Sequence, residues 1–187
     1  MKKILMGSIL LSSLLFLGCS SKEVKIIGEG ADCNVNGDKA PDWVCQGKED
    51  KGFFYESGSA EMSKAGFSFT RTMAIADARS NLSQRIEILV KDKVETYVSA
   101  IGSGETETVD KVSTHVSKQV SKATLKGSSS VVLWRNKERM FVLVKMSKDS
   151  VAESTAKAVD SSFGSEDALW QEYKSKHSLE ELEKEFK

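Results

Sequence analysis

Apolar and polar positions alternate with two different periods along this chain. Phe53–Met62 starts with three aromatic residues, then alternates loosely, which predicts a strand. Gly58 inside it points to a bulge or a close backbone approach. From Phe69 to about Ala100 there is no Pro or Gly. Met73, Ala76, Leu82, Ile86, Leu89, Lys93, Val94, Tyr97 and Val98 step mostly by three and four, which predicts a long helix. Ala74, Ala76 and Ala78 make its first half thin, so another element can come close. Gly102-Ser103-Gly104 breaks the pattern.

A second helix is expected from about Thr106 to Lys126, with Val109, Val112, Val116, Val120 and Ala123 as a narrow stripe. Valine and threonine are mediocre helix formers, and an alternating strand also fits parts of Val109–Val120. Ser129–Arg135 and Arg139–Met146 flank the polar Asn136-Lys137-Glu138 as a hairpin. Asp149–Phe163 reads as a helix with Ala152, Ala156, Val159 and Phe163 on one face. After the hinge at Gly164 and Ser165 come Leu169, Trp170 and Tyr173. A short helix capped by Ser178 and Glu181 then carries Leu179, Leu182 and Phe186. The order strand, long helix, helix, strand, strand, helix predicts an α+β fold. Its simplest form is a small antiparallel sheet of about three strands, covered on one face by helices, with a helical C-terminal tail.

The N-terminus changes the picture. Lys2 and Lys3 precede an apolar run from Ile4 to Leu17, followed by Gly18 and Cys19. This is the pattern of a secretory signal, and the run is short for a membrane-spanning helix. Phe16 does not fit the small-x-small site of an ordinary signal peptidase. Phe16-Leu17-Gly18-Cys19 resembles the lipobox of bacterial lipoproteins, where Leu usually stands in place of Phe16. Cleavage then makes Cys19 the lipidated first residue; plain secretion and a retained anchor are the alternatives. Ser20 stands where an Asp typically signals inner-membrane retention, so the resemblance implies the outer membrane, facing either side. The organisation read from these signals is a signal peptide at 1–18, a lipidated tether at 19–39, an α+β domain at 40–163 and a tail at 164–187.

Composition excludes several classes. Losing residues 1–18 takes away Lys2 and Lys3 and leaves 25 basic against 27 acidic residues in 169, so no basic excess points to nucleic acid. Cys33 and Cys45 remain after Cys19 is used for lipid. Export would place them in an oxidising compartment, where such a pair forms a disulfide. The alternative is a metal pair, but no other Cys or His lies nearby. Pro41 ends any upstream helix, and Trp43 is expected at the domain edge beside Cys45.

Ala40-Pro41-Asp42-Trp43-Val44, Tyr55-Glu56-Ser57-Gly58-Ser59-Ala60, Ala74-Ile75-Ala76-Asp77-Ala78-Arg79-Ser80-Asn81-Leu82 and Arg139-Met140-Phe141-Val142-Leu143-Val144 occur in this order. Together with the lipobox they resemble the LPP-twenty family of small outer-membrane lipoproteins of Gram-negative bacteria, over roughly residues 40 to 160. The resemblance implies a compact α+β body, no established catalytic activity and no cofactor. Members look like surface or periplasmic antigens, and a related group builds a disc around the flagellar motor. The Cys33 and Cys45 pair and the tail depart from the plainest members, so only Cys19 carries over as a site residue.

No catalytic or metal-binding constellation stands out. His115 and His177 are the only histidines, and no Gly-x-Ser-x-Gly elbow occurs. Glu105, Glu107 and Asp110 read as helix N-terminal acids. Gly102-Ser103-Gly104 lacks the Lys-Ser/Thr of a phosphate loop. The expectation is a non-enzymatic protein, held to the membrane by lipid and acting on protein partners or on itself. It is either a structural subunit of an envelope or flagellum-associated assembly, or a monomeric surface antigen or ligand-binding accessory. The partner-binding candidates are Leu169, Trp170, Tyr173, Leu179, Leu182 and Phe186, with docking on the chain's own sheet as the alternative. Asp77, Arg79, Gln84 and Arg85 form a polar helix face that is either solvated or paired with a neighbour.

Overall fold

The computed structural model describes residues 32–100, 106–162, 182 and 184–186. The predicted signal, most of the tether and most of the tail lie outside these residues. Five strands and four helices are described. They are β1 (Asn34–Val35), β2 (Asp38–Lys39), α1 (Asp42–Gln46), β3 (Phe53–Glu61), α2 (Phe67–Ala100), α3 (Thr106–Gly127), β4 (Ser129–Arg135), β5 (Arg139–Ser147) and α4 (Lys148–Ser162). The main sheet has three antiparallel strands in the order β3-β5-β4. The fold is α+β, as the periodicity predicts.

β5, the central strand, is apolar from Met140 to Val144. Met140, Val142, Val144 and Met146 are buried on the face that carries the helices. The stretch Val109–Val120, which partly fits an alternating strand, lies inside α3, so the helix reading holds there.

α2 spans 34 residues, or about 50 Å. Its buried line is Thr70, Ala74, Ala78, Leu82, Ile86, Val90, Val94 and Val98, one residue in every four. A strict four-residue step advances the line by about 40° per step around a 3.6-residue helix. The buried face therefore winds around α2. Its first half lies on the sheet, where Ala74 and Ala78 are buried, and its second half packs among helices. Met73 and Ala76, placed on the stripe by a straight-stripe reading, are exposed instead.

α2 and α3 meet along a seam of small polar residues. Ser113, Ser117, Ser121 and Thr124 are buried on α3 beside Val116 and Val120, whereas Ala123 is exposed. The Ser83 and Ser121 hydroxyls are 2.7 Å apart across the seam. Ser113 Oγ donates to the Asp110 carbonyl and Ser117 Oγ to the Thr114 carbonyl, each at 3.1 Å. Hydroxyls satisfied within their own helix are inexpensive to bury, and their small size lets the backbones approach. Asp110 sits 3.0 Å from Lys91, and this contact holds the Lys91 ammonium above its usual pKa, with Glu95 adding to the effect.

The other face of the sheet is also covered. Tyr55 and Leu143 point away from α2 yet are only 6% and 1% exposed. The segment from Cys33 to Lys48 is tied to both ends of that face. Asn36 Nδ2 donates to Glu138 at 2.6 Å and Asn136 Nδ2 to the Val35 carbonyl at 3.3 Å, at the β4–β5 turn. At the opposite end Lys48 Nζ lies 4.7 Å from the centre of the Tyr55 ring. A disulfide joins Cys33 to Cys45 within this segment. The β1–β2 hairpin turns on Asn36 and Gly37, both at positive φ (54° and 90°). Asn-Gly is the strongest short hairpin signal, but the sequence reading placed residues 34–39 in the tether and missed this hairpin.

Candidate interaction surface

The two edges of the main sheet are treated differently. On the β3 edge, α2 runs alongside and supplies side chains to the outward backbone groups. Ser59 N donates to Asp77 Oδ2 at 2.8 Å, and Asn81 Nδ2 donates to the Ser57 carbonyl at 3.0 Å. Arg85 Nη1 donates to the Tyr55 carbonyl at 3.2 Å and to Glu56 Oε1 at 2.8 Å. Asp77, Asn81 and Arg85 are spaced by four, so they share one flank of the helix. This clasp occupies groups that an incoming strand would use. The polar face expected on α2 is therefore engaged inside the molecule. Arg79 is too: its Nη2 donates to the Ser128 carbonyl at 3.3 Å.

Asn81→Ala is expected to lower stability by about 1 kcal/mol, the usual worth of one such hydrogen bond, read from the urea midpoint. An unchanged midpoint would show that the clasp does not hold the edge.

Gly58 lies at the centre of the contact. A Cβ there would stand 2.0 Å from the Ala78 nitrogen and 2.5 Å from its Cα. The close approach expected from Gly58 and the thin alanine face is thus located at Ala78.

The β4 edge has no such cover among the described residues. It reads Ser-Ser-Val-Val-Leu-Trp-Arg and carries one charge, Arg135, at its end. A β-bulge falls between Ser130 and Val132, which leaves Val131 as the extra residue. Val131 is 45% and Val132 42% exposed. Beside the strand, on the helix side of the sheet, lies a groove of about 370 Å³ lined by Phe67, Arg71, Ser130, Val131, Leu133 and Val142, among others. Phe67 is 48% exposed there, and the Arg135 guanidinium lies 5.7 Å from its ring centre. Apolar side chains, a free strand edge and a groove therefore coincide. Sequence reasoning missed this surface. The one available signal was an apolar strand with no Lys, Pro or acid within it.

The other sequence-derived candidates fall as follows. Cys19, Leu169, Trp170, Tyr173 and Leu179 lie outside the described residues, as does His177. Leu182 and Phe186 are buried in the core with the second half of α2, and Lys93 Nζ pairs with Glu185 at 2.8 Å beside them. These two side chains dock on the chain's own body and offer no open surface to a partner. His115 is exposed on α3 and contacts Gln119. Among the described residues, no three His, Cys, Asp or Glu side chains converge as a metal site would require.

One long helix winding across a three-stranded antiparallel sheet, with a disulfide-closed segment on the opposite face, defines a small α+β body. The family profile described as LPP20 lipoprotein matches residues 41–147. That is more than half of the chain, and the chain belongs to the LPP20 lipoprotein family. A comparison with curated proteins gives no significant match.

Proposed function

We propose that this protein is a non-enzymatic lipoprotein, anchored in the outer membrane through lipid on Cys19, whose body works by protein contacts as a structural subunit of an envelope assembly. The observation that supports contact is the β4 edge and the groove beside it, which no described residue covers, set against a β3 edge that α2 clasps. The anchor reading rests on Lys2 and Lys3, the apolar run and Gly18-Cys19, together with membership of a lipoprotein family. A lipid anchor suffices to hold such a body, because each buried CH₂ contributes about 0.8 kcal/mol and two or more chains bind firmly. Among the described residues no helix is long and apolar enough to cross a membrane.

Cys19→Ser is expected to move the protein from the membrane to the soluble fraction and to remove the mass of the lipid from the mature chain. Retention in the outer-membrane fraction after this change would overturn the anchor. Crosslinking in intact cells, followed by purification through a C-terminal tag, is expected to recover recurrent protein contacts that map to β4. No recurrent crosslink from the body would overturn the contact reading.

A further inference from the structure

α3 carries a run of charge that its neighbours do not. We propose that its outer face lies on the anionic headgroups of the membrane that holds the anchor, through Lys118, Lys122 and Lys126. This rests on the anchor reading above and adds how the body is set against the bilayer.

Between Asp110 and Glu138 the chain has no acid, yet it has Lys111, Lys118, Lys122, Lys126, Arg135 and Lys137. Over the whole chain acids and bases balance, 27 against 27. At about 100° per residue, Lys118, Lys122 and Lys126 fall within an arc of about 80° on α3. That arc is nearly opposite the buried Ser113, Val116, Ser117, Val120, Ser121 and Thr124, so these three side chains leave the helix on the side away from the body. All three are exposed, and none pairs with a described acid. The neighbouring helices are built the other way. α2 sets Lys91 four residues before Glu95, and α4 sets Glu153 four residues before Lys157, so opposite charges attract. α3 twice sets lysine four residues from lysine, and like charges at this spacing destabilise a helix. An anionic surface against the face removes that cost.

The chemistry of this face fits a lipid surface. Lysine is a flexible point charge, suited to a field of phosphates, whereas bidentate docking uses Arg. From Lys118 to Lys126 there is no Arg and no aromatic residue, and the one large exposed apolar side chain is Leu125, at the end. Protein interfaces are instead depleted in Lys and centred on aromatic and Arg anchors. The signal read at the N-terminus takes the chain away from nucleic acid. The anchor brings the face within reach. Twelve residues separate Cys19 from Asp32, a span of at most about 45 Å, and α3 has 22 residues, or about 33 Å. Each lysine held at an anionic leaflet favours contact about fivefold, so three give on the order of a hundredfold. The lipid keeps the protein on the membrane, and the lysines fix which side of the body faces it.

The test places the full lipidated chain on vesicles of phosphatidylcholine alone, or with about one third phosphatidylglycerol, and treats both with a water-soluble amine reagent. Mass spectrometry reads the modification of each lysine. Lys118, Lys122 and Lys126 are expected to react at least about threefold more slowly on the anionic vesicles, while the exposed Lys51 and Lys64 react alike on both. The difference is expected to vanish near 1 M salt, where charges are screened beyond about 3 Å. Lys122→Gln in the same chain is expected to remove at least about half of the protection at Lys118 and Lys126. It also removes two like-charge pairs, so a thermal melt no lower than the parent's checks that the body is folded. Equal reaction of the three lysines on the two vesicles would overturn the proposal. So would protection that is the same in detergent and on both vesicles, which would show that the chain's own tail or a second copy covers the face. Protection that Lys122→Gln leaves unchanged would overturn it as well. A wild type that binds neither vesicle would sink the anchor reading and the proposal together, whereas one held by both without protection sinks the proposal alone.

Discussion

Gly58→Ala is expected to abolish the native fold or to lower its stability by more than about 4 kcal/mol, at the extreme of what single substitutions do. The added Cβ would meet the Ala78 nitrogen at 2.0 Å, the Ala78 Cα at 2.5 Å and the Asp77 carbonyl carbon at 2.7 Å. All three are backbone atoms, so no rotamer change relieves the clash. The helix would have to lift from the strand. Lifting it would also break the bonds from Asp77 to Ser59 and from Asn81 to Ser57, which flank the glycine on either side. A specific corollary is that Ala78→Gly does not rescue Gly58→Ala, because the obstructing atoms are not those of a side chain. Urea unfolding followed by circular dichroism measures both. A Gly58→Ala variant with a near-native midpoint would show that the helix stands farther from the strand than 2.0–2.7 Å contacts allow.

Removing the disulfide has the second largest expected effect. Cys33 and Cys45 are 12 positions apart, and closing a loop of this size stabilises by about 3 kcal/mol in the chain-entropy model. The effect is expected to be local as well as global. The segment between these cysteines is bonded to the β4–β5 turn through Asn36 and Val35, at the sheet face where Tyr55 and Leu143 are buried, while the helices pack on the opposite face. Replacing both cysteines by serine is therefore expected to raise amide exchange along the middle of β3 and β5 before the helical layer loosens. Reduction of the wild type is expected to reproduce the same pattern. A loss below about 0.5 kcal/mol, or exchange that rises first in α3 and α4, would show that the hydrogen bonds of Asn36 and Asn136 hold the segment without the bridge.

The two experiments probe opposite faces of one sheet. Gly58 governs how the helices reach it, and the disulfide governs how the other side is closed. Among the described residues the β4 edge between these layers is what remains uncovered, and this is the basis for the proposed contact.

Several features were legible along the chain because they depend on local chemistry. Asp149 to Ser162 is helical with Ala152, Ala156 and Val159 buried, as a three-and-four spacing dictates for a helix on one flat neighbour. The β4–β5 hairpin lies where two apolar runs flank Asn136-Lys137-Glu138, and Asn136 Oδ1 accepts the Glu138 and Arg139 N–H groups to fix that turn. Gly58 and the alanine-rich start of α2 pointed to a close approach, with a bulge as the other reading of Gly58, and the approach is what the structure shows. The cysteines announced their own pairing.

Other features were decided only by the tertiary structure. No local rule places β5 between β3 and β4; that order follows from joining the third strand to the first across a helical layer. The buried face of α2 winds because the helix changes neighbours along its length, from sheet to helices, and a fixed stripe cannot follow such a change. Ser113, Ser117 and Ser121 read as a polar face until α3 is seen to need close approach to α2. Asp77, Asn81 and Arg85 look like a solvated flank, and only the position of the β3 edge turns them into a clasp. Sequence by itself determined the elements and the chemistry of their ends, because these depend on residues a few positions apart. Which faces are buried, and which edge is left open, depend on groups far apart in the chain that meet only when it folds.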